Sequence, residues 1–247
     1  MMDKQEYRKK LDELGSRKDL IPGIHNYCDR WCERCPFTRK CGNYVLTEGL
    51  ESNQEDVDLN NEKFWKDLSM IFEATFDMIR EHAEELGIDL DNIDEEDCKL
   101  EVKNVEVEEY AREYGLNMIN WLKGNSEKLN ETVQKLLLVH ENIALKFKDA
   151  LEVVQWYSLF ISAKVHRSML DFGDVTDEYE DYDQKGSAKI AIIAIDRSIA
   201  ALGLILEKIP DFEDDLLRFL AQLAKIKRDI LKVYPMAMEF RRPGFDD

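Results

Sequence analysis

The segment SAKIAIIAIDRSIAALGLILEKI (residues 187–209) decides the fold of this chain. Its apolar side chains cover nearly the whole circumference of a helix, interrupted mainly by Asp196 and Arg197. A helix that is apolar nearly all round is stable when other helices surround it. Pro210 follows the segment and ends the helix, because proline cannot continue the helical hydrogen bonds. The sequence therefore predicts a central helix inside a bundle.

The stretches on either side are typical of further long helices, since no proline lies between residues 37 and 209. Apolar residues recur there at i, i+3, i+4 and i+7. We expect helices from about residue 61 to Gly87, and over residues 105–122, 126–170 and 211–234. The third helix would approach about 65 Å if it were unbroken, so we expect a bend or a break in it.

Several local details are also expected from the sequence. Ser126 and Asp211 are predicted to cap their helices, because short polar side chains bond the free N–H groups at a helix start. The acidic stretch at residues 172–186 is predicted to be a loop. A brief alternation of apolar residues between Leu100 and Val107 is also compatible with a small hairpin.

The predicted fold class is all-α, an antiparallel bundle of four to six long helices with an N-terminal four-cysteine metal-binding module. The predicted domains are an arm with this module over residues 1–50, the bundle over residues 60–235 and an irregular tail over residues 236–247.

Composition and charge narrow the classes of function. The chain has 247 residues and a net charge of −18, with 44% hydrophobic and 35% charged residues, as in ordinary globular proteins. Residues 1–44 carry +3 (10 Lys and Arg, 7 Asp and Glu), so the remaining 203 residues carry −21. Such an acidic body repels phosphate backbones and disfavours nucleic-acid binding.

The sequence also suggests where the protein acts. No apolar run approaches the roughly 18–20 residues that a membrane span needs, so we expect no membrane insertion. The first nineteen residues are charged throughout and lack an apolar signal region, so we expect a cytoplasmic protein.

Four of the five cysteines lie within fourteen residues, with the spacing Cys28-x3-Cys32-x2-Cys35-x5-Cys41. Disulfide bonds are disfavoured in the cytoplasm. Four crowded thiolates repel one another unless a cation gathers them, so the pattern predicts a metal or cluster site. The fifth cysteine, Cys98, follows three acidic residues, a setting that does not activate a thiol.

The spacing of the cysteines is compatible with two kinds of metal centre. Structural zinc sites usually combine two Cys-x2-Cys pairs, and only Cys32 and Cys35 have that spacing here. A [4Fe-4S] cluster tolerates mixed short spacings with a proline after one cysteine, as in Cys35-Pro36. We expect a [4Fe-4S] cluster, with one structural zinc ion as the alternative.

The stretch CERCPFTRKC (Cys32 to Cys41) resembles the end of the [4Fe-4S] loop in endonuclease III and adenine DNA glycosylases, Cys-x2-Cys-Pro-x4-Cys. The resemblance covers ten residues and implies a cluster rather than the glycosylase fold or activity. In that family the first ligand precedes the second by six residues, whereas Cys28 precedes Cys32 here with three residues between them. The spacing of Cys28, Cys32 and Cys35 also resembles the radical-SAM triad, but that family needs a β/α barrel.

The neighbours of the cysteines are expected to support this site. His25 is expected to lie next to the ligands rather than to replace one. Trp31 and Phe37 are expected to pack the loop onto the bundle and shield the metal. Basic side chains would offset the negative charge of four thiolates: Arg30, Arg34, Arg39 and Lys40.

Polar residues within the apolar helices form the second candidate site. The expected set is Glu152, His166, Arg167 and Asp196. These residues would form a buried ion-pair cluster that fixes helix register, or else a ligand pocket. The chain has no Glu-x-x-His motif, so it lacks the standard di-iron pattern of helical bundles.

Together these features predict an interaction or regulatory protein with a protein partner, in which the metal site is structural or senses a signal. The alternative is a redox protein or oxidoreductase that uses the cluster for electron transfer. Whether the chain is an enzyme stays open at this point.

Overall fold

The computed structural model of the chain describes residues 3–47, 62–92, 101–171 and 178–246. The fold is all-α, as the sequence predicts. The described residues contain nine α-helices, which are α1 (Lys4–Ser16), α2 (Ile24–Tyr27), α3 (Gly42–Thr47), α4 (Glu62–Leu86), α5 (Val105–Gly124), α6 (Ser126–Val139), α7 (Glu141–Met169), α8 (Glu178–Lys208) and α9 (Glu213–Val233). Two short strands, β1 (Glu101–Val102) and β2 (Leu170–Asp171), pair antiparallel. In the described part of the chain, no helix is long and apolar enough to cross a membrane.

The chain divides into two compact units. Unit 1 comprises Met1–His25, Arg30–Lys99 and Pro243–Asp247, and unit 2 comprises Asn26–Asp29 and Leu100–Arg242.

Unit 2 is a helical bundle in which α5, α7, α8 and α9 form a closed ring of contacts, and α6 packs on α7. Neighbouring helices run antiparallel. Glu108 near the start of α5 meets His166 near the end of α7, and Arg167 near the end of α7 meets Asp183 near the start of α8. The predicted central helix lies in the core, with Ile192, Ile195 and other apolar residues of α8 fully buried.

The helix pair α5 and α7 approaches closely at a glycine. A Cβ atom on Gly115 would lie 2.7 Å from the backbone oxygen of Ser158. Real Cβ atoms essentially never come that close to another heavy atom, so only glycine fits here without a shift of one helix.

Unit 1 pairs α1 with α4. Asp3 caps α1 through a capping box with Glu6, which satisfies free N–H groups at the helix start. Two ion pairs join the helices, Lys4 with Asp77 and Arg8 with Glu81.

The predicted helix ends are largely confirmed. The helix α4 ends one residue before Gly87, which adopts φ 69, and Ile88 donates to the carbonyl of Ala83 in a Schellman-type closure. The expected break in the long third helix falls at His140, whose φ of −151 and ψ of 92 separate α6 from α7. The apolar spacing of this helix also predicts His140 on its buried stripe, and this prediction is wrong because His140 is exposed.

Other local expectations are corrected by the structure. The helix α8 begins at Glu178, inside the stretch expected to be a loop. Asp211 does not cap α9 but pairs with Lys128, and no side-chain hydrogen bond caps the start of α6. Val102 pairs with Leu170 rather than with residues 105–107, which belong to α5.

Candidate metal-binding segment

The cysteine segment is built from two short 3-10 helices, Cys32–Arg34 and Thr38–Lys40. The N–H of Cys35 donates to the carbonyl of Cys32 at 3.1 Å, and the N–H of Cys41 donates to Thr38 at 3.1 Å. Each tight turn therefore ends on a cysteine.

The backbone N–H of Phe37 points at the sulfur of Cys35. The Phe37 N–H donates to Cys35 Sγ at 3.4 Å. Hydrogen bonds of this kind support metal-bound thiolates, because a donor aimed at sulfur stabilises negative charge on it.

The four cysteines of the segment are thiols in this structure. Cys32 is exposed, and Cys28, Cys35 and Cys41 are half-buried. Over the described ranges, no group of three or more His, Cys, Asp and Glu side chains is placed to hold a metal ion. The fifth cysteine, Cys98, lies outside the described residues.

The aromatic neighbours make contacts within unit 1. Phe37 packs edge-to-face on Phe245 at 4.8 Å between ring centroids, and the Arg34 guanidinium lies 3.8 Å from the ring centroid of Trp31. The Ile21 N–H donates to the carbonyl of Lys40 at 2.9 Å. These contacts hold the turns of residues 32–41 against the residues before them and against the C-terminal tail.

The basic residues of the segment surround the turns with positive charge. All of them are exposed: Arg30, Arg34, Arg39 and Lys40. Arg30 adopts a positive φ of 55, which is uncommon for a residue other than glycine, asparagine or aspartate. His25, three residues before the first cysteine in the sequence, is half-buried.

The first cysteine, Cys28, directly follows α2 in a stretch that belongs to unit 2. Tyr27 on one side of it is fully buried and packs edge-to-face on Tyr182 and Phe240. A Cβ on Gly186 would lie 3.0 Å from Tyr27, so a small residue of α8 makes room for this side chain.

On the other side of Cys28, Asp29 binds residues of α7 and α8. Tyr157 Oη donates to Asp29 Oδ2 at 2.9 Å, and Arg197 Nη1 donates to Asp29 Oδ2 at 2.7 Å and to Tyr157 Oη at 2.6 Å. Trp156 Nε1 also donates to the Asp29 carbonyl at 3.0 Å. We call Asp29, Tyr157 and Arg197 the Asp29 anchor.

Burial and the charge of Asp29 raise the pKa of Tyr157 to about 12. The hydroxyl therefore keeps its proton and remains a donor to Asp29 at physiological pH. The Asp29 anchor fixes the residue next to Cys28 on the bundle. The sequence gives no signal for it, because Asp29 lies 128 residues from Tyr157 along the chain.

The second candidate set, the polar residues of the apolar helices, is not gathered into one buried cluster. His166, Arg167 and Asp196 are exposed, and Glu152 is half-buried. Their ion pairs lead to different neighbours: Glu152 to Lys148, His166 to Glu108, Arg167 to Asp183 and Asp196 to Lys227. The sequence predicts that Asp196 meets His166 or Arg167 from the neighbouring helix, but in the structure it pairs with Lys227 on α9.

A groove of about 530 Å³ lies between α7 and α8. Its walls are mainly apolar, with Lys146, Asp149 and Arg197 as the charged residues. None of the four polar residues expected to form a pocket lines it.

Comparisons with protein-family models, with curated proteins and with solved structures found no match to this chain.

Proposed function

We propose that this chain is an interaction or regulatory protein whose segment 28–41 binds a metal centre for structure or for sensing. The ligands are four cysteines: Cys28, Cys32, Cys35 and Cys41. The observation that carries the proposal is their spacing within fourteen residues, together with the tight turn from Cys32 to Cys35 and the N–H donor at Cys35 Sγ.

The donor set fits a thiophilic metal by its chemistry. Four thiolates bind either a [4Fe-4S] cluster or one zinc ion, and both prefer sulfur ligands. The exposed basic residues around the turns offset the negative charge that such a centre carries. Because thiolate ligands gather as the metal binds, metal binding and the folding of such a segment are coupled.

We place the cluster first and zinc second. Pro36 directly after Cys35 and the resemblance of Cys32 to Cys41 to the endonuclease III loop both support the cluster. When bound, a cluster would add a centre that responds to oxidants or to iron supply, whereas zinc would add stability alone. In either case the Asp29 anchor holds the residue after Cys28 in place.

A protein partner is the interaction that fits the rest of the chain. The 203 residues after the N-terminal arm carry −21, which disfavours nucleic acid. A partner with a basic surface would be attracted to this body, and its association rate would fall as salt is added.

The second candidate function is electron transfer. The N–H donor to Cys35 Sγ favours it, since hydrogen bonds to sulfur tune the reduction potential of a cluster. This function requires a redox-active cluster and an electron donor or acceptor that binds to the protein.

The first experiment is purification without oxygen, followed by metal analysis and an absorption spectrum. About four irons per chain and a brown colour support the cluster. A colourless protein with one zinc supports the structural role and rules out electron transfer.

A second experiment separates a local from a global role of the metal. If the centre is local to the segment, chelation should increase hydrogen exchange in residues 28–41 while the helical circular dichroism of unit 2 persists. Collapse of the whole helical signal on chelation would contradict that role.

A further inference from the structure

The groove between α7 and α8 is formed by small side chains on facing helix surfaces. Six apolar residues line it: Leu145, Ala150, Val153, Ala200, Ala201 and Leu204. Three of these six are alanines. On α8 the lining residues recur at i, i+3, i+4 and i+7 from Arg197, so they lie on one face of the helix. Larger side chains at the alanine positions would fill the space, so these small residues leave the groove open.

The size of the groove limits the kind of ligand that it can hold. Its volume of about 530 Å³ is within the range of about 300–1,000 Å³ that is typical of small-molecule sites. At about 30 Å³ for each water-sized group, this space holds up to about eighteen non-hydrogen atoms. The lined face of α8 from Arg197 to Leu204 covers a step of seven residues, or about 10 Å. A single apolar chain of about eight carbons fits both the volume and the length.

The charged residues of the groove lie toward its two ends. Arg197 lies beside Tyr157, to whose hydroxyl it donates at 2.6 Å. Lys146 and Asp149 precede Tyr157 by eleven and eight residues, about 16 Å and 12 Å along α7, so they lie toward the other end. These two residues carry opposite charges, and that end of the groove is therefore neutral overall. At the Arg197 end, the charged residue of the lining is a cation.

Arg197 uses only one of its three side-chain nitrogens within the protein. Nη1 donates to Asp29 Oδ2 at 2.7 Å and to Tyr157 Oη at 2.6 Å. Nε and Nη2 have no acceptor among the residues that the structure describes. Together these two nitrogens form an edge that donates two parallel hydrogen bonds to a carboxylate. The bonds of Nη1 hold the side chain in place, so this edge is preorganised for a ligand.

We propose that the groove binds an amphipathic carboxylic acid with an apolar chain of about eight carbons. The carboxylate accepts two hydrogen bonds from Nε and Nη2 of Arg197. The apolar chain lies between α7 and α8 and extends toward Leu204. Because Nη1 keeps its own bonds, the ligand binds without breaking the Asp29 anchor. The site lies within unit 2, and it does not depend on the metal centre.

The test is a two-dimensional NMR titration of the full chain with octanoate. Resonances of the groove residues on α7 and α8 should shift and saturate, with a Kd on the order of 1 mM or lower. Octanol has the same chain without the charge, so it should bind about tenfold more weakly. Octyltrimethylammonium has the opposite charge and should not bind, because it cannot accept hydrogen bonds from Arg197.

Two variants test the two parts of the site. Arg197→Lys keeps the positive charge and a donor for Asp29 but lacks the second parallel donor, so the affinity for octanoate should fall about tenfold. Ala200→Trp places a large side chain in the groove from an exposed position and should abolish binding. The matched controls are Arg228→Lys and Ala221→Trp, at exposed positions of α9 outside the groove. Both should bind octanoate like the wild type, and circular dichroism checks that every variant is folded.

The outcomes separate a specific acid site from unspecific apolar binding. Saturable shifts confined to the groove, weaker binding of octanol and the losses in the two site variants support the proposal. Absence of shifts up to about 5 mM octanoate would overturn it. So would octanol binding as tightly as octanoate, wild-type affinity in Arg197→Lys or Ala200→Trp, or equal losses in the control variants.

Discussion

The Asp29 anchor leads to a stability prediction that uses two ion pairs of the same length. Asp29→Ala removes the acceptor of the Tyr157 hydroxyl and of Arg197. A hydrogen bond to a charged group contributes about 1.5–3 kcal/mol when it is shielded from water. The Asp29 side chain is only 21% exposed, whereas that of Arg197 is 51% exposed and its pairing is partly screened by solvent. We therefore expect the free energy of unfolding to fall by about 2–3 kcal/mol, mainly through the Tyr157 bond.

The matched control is Asp211→Ala. Asp211 pairs with Lys128 at 2.7 Å, the same distance as Asp29 to Arg197, but the Asp211 side chain is 73% exposed. Solvent screens such a pair, so the free energy of unfolding of this variant should be almost the same as that of the wild type. The assay is urea unfolding followed by circular dichroism, which reports mainly on the long helices of unit 2.

A double-mutant cycle measures the coupling between Asp29 and the Tyr157 hydroxyl. In a Tyr157→Phe background, Asp29→Ala should cost about 1–2 kcal/mol less than in the wild type, because the hydroxyl bond is already gone. If Asp29→Ala and Asp211→Ala lower the free energy of unfolding by the same amount, or if Asp29→Ala leaves it unchanged, the Asp29 anchor does not stabilise unit 2.

Three further predictions concern the bundle. Gly115→Ala should destabilise the protein by a net of about 1–2 kcal/mol in thermal or urea unfolding, because overpacking against Ser158 outweighs the gain in helix propensity; a stabilised variant would contradict the close approach of α5 and α7. The raised pKa of Tyr157 contributes stability that is complete below about pH 10 and lost as pH rises through about 12, so the wild type should lose more stability than Tyr157→Phe over this range. Hydrogen bonds from Lys225 and Lys232 lower the pKa of Asp229, so this carboxylate contributes stability above about pH 3.9 that is lost as pH falls through its lowered pKa; Asp229→Asn should remove this part of the acid dependence.

Much of the bundle follows from local patterns in the sequence. The apolar circumference of residues 187–209 places α8 in the core, and Gly87 and Pro210 mark two helix ends correctly. The length of the predicted third helix indicates that it bends or breaks, but it does not give the position of the break, which the structure places at His140. These features depend on neighbours within a turn or two, where helix geometry is nearly fixed.

Other features depend on distant parts of the chain and have no local signal. The pairing of Val102 with Leu170 joins residues 68 positions apart in the chain. Each strand has only two residues, which is too short to show the alternation of apolar and polar residues that predicts a strand. The start of α8 at Glu178 was missed because its acidic residues are typical of loops, although carboxylates are also favourable in the first turn of a helix.

The candidate sites also differ in whether the sequence carries a local signal for them. The spacing of the cysteines is a local signal, and it remains the basis of the metal prediction. The polar residues on α7 and α8 were expected to be buried because the surrounding residues are apolar. Asp196 and Arg197 instead occupy the exposed part of α8, where each pairs with a charged partner from elsewhere in unit 2.

The central claim is that four cysteines of this segment bind a metal, and metal analysis of serine variants tests it most directly. The wild-type protein, purified without oxygen, should contain about four irons or about one zinc per chain. Cys28→Ser, Cys32→Ser, Cys35→Ser and Cys41→Ser should each lose most of this metal, while Cys98→Ser, the control outside the segment, should retain it. A wild-type protein without metal, or variants of the four cysteines that keep full occupancy, would contradict the account.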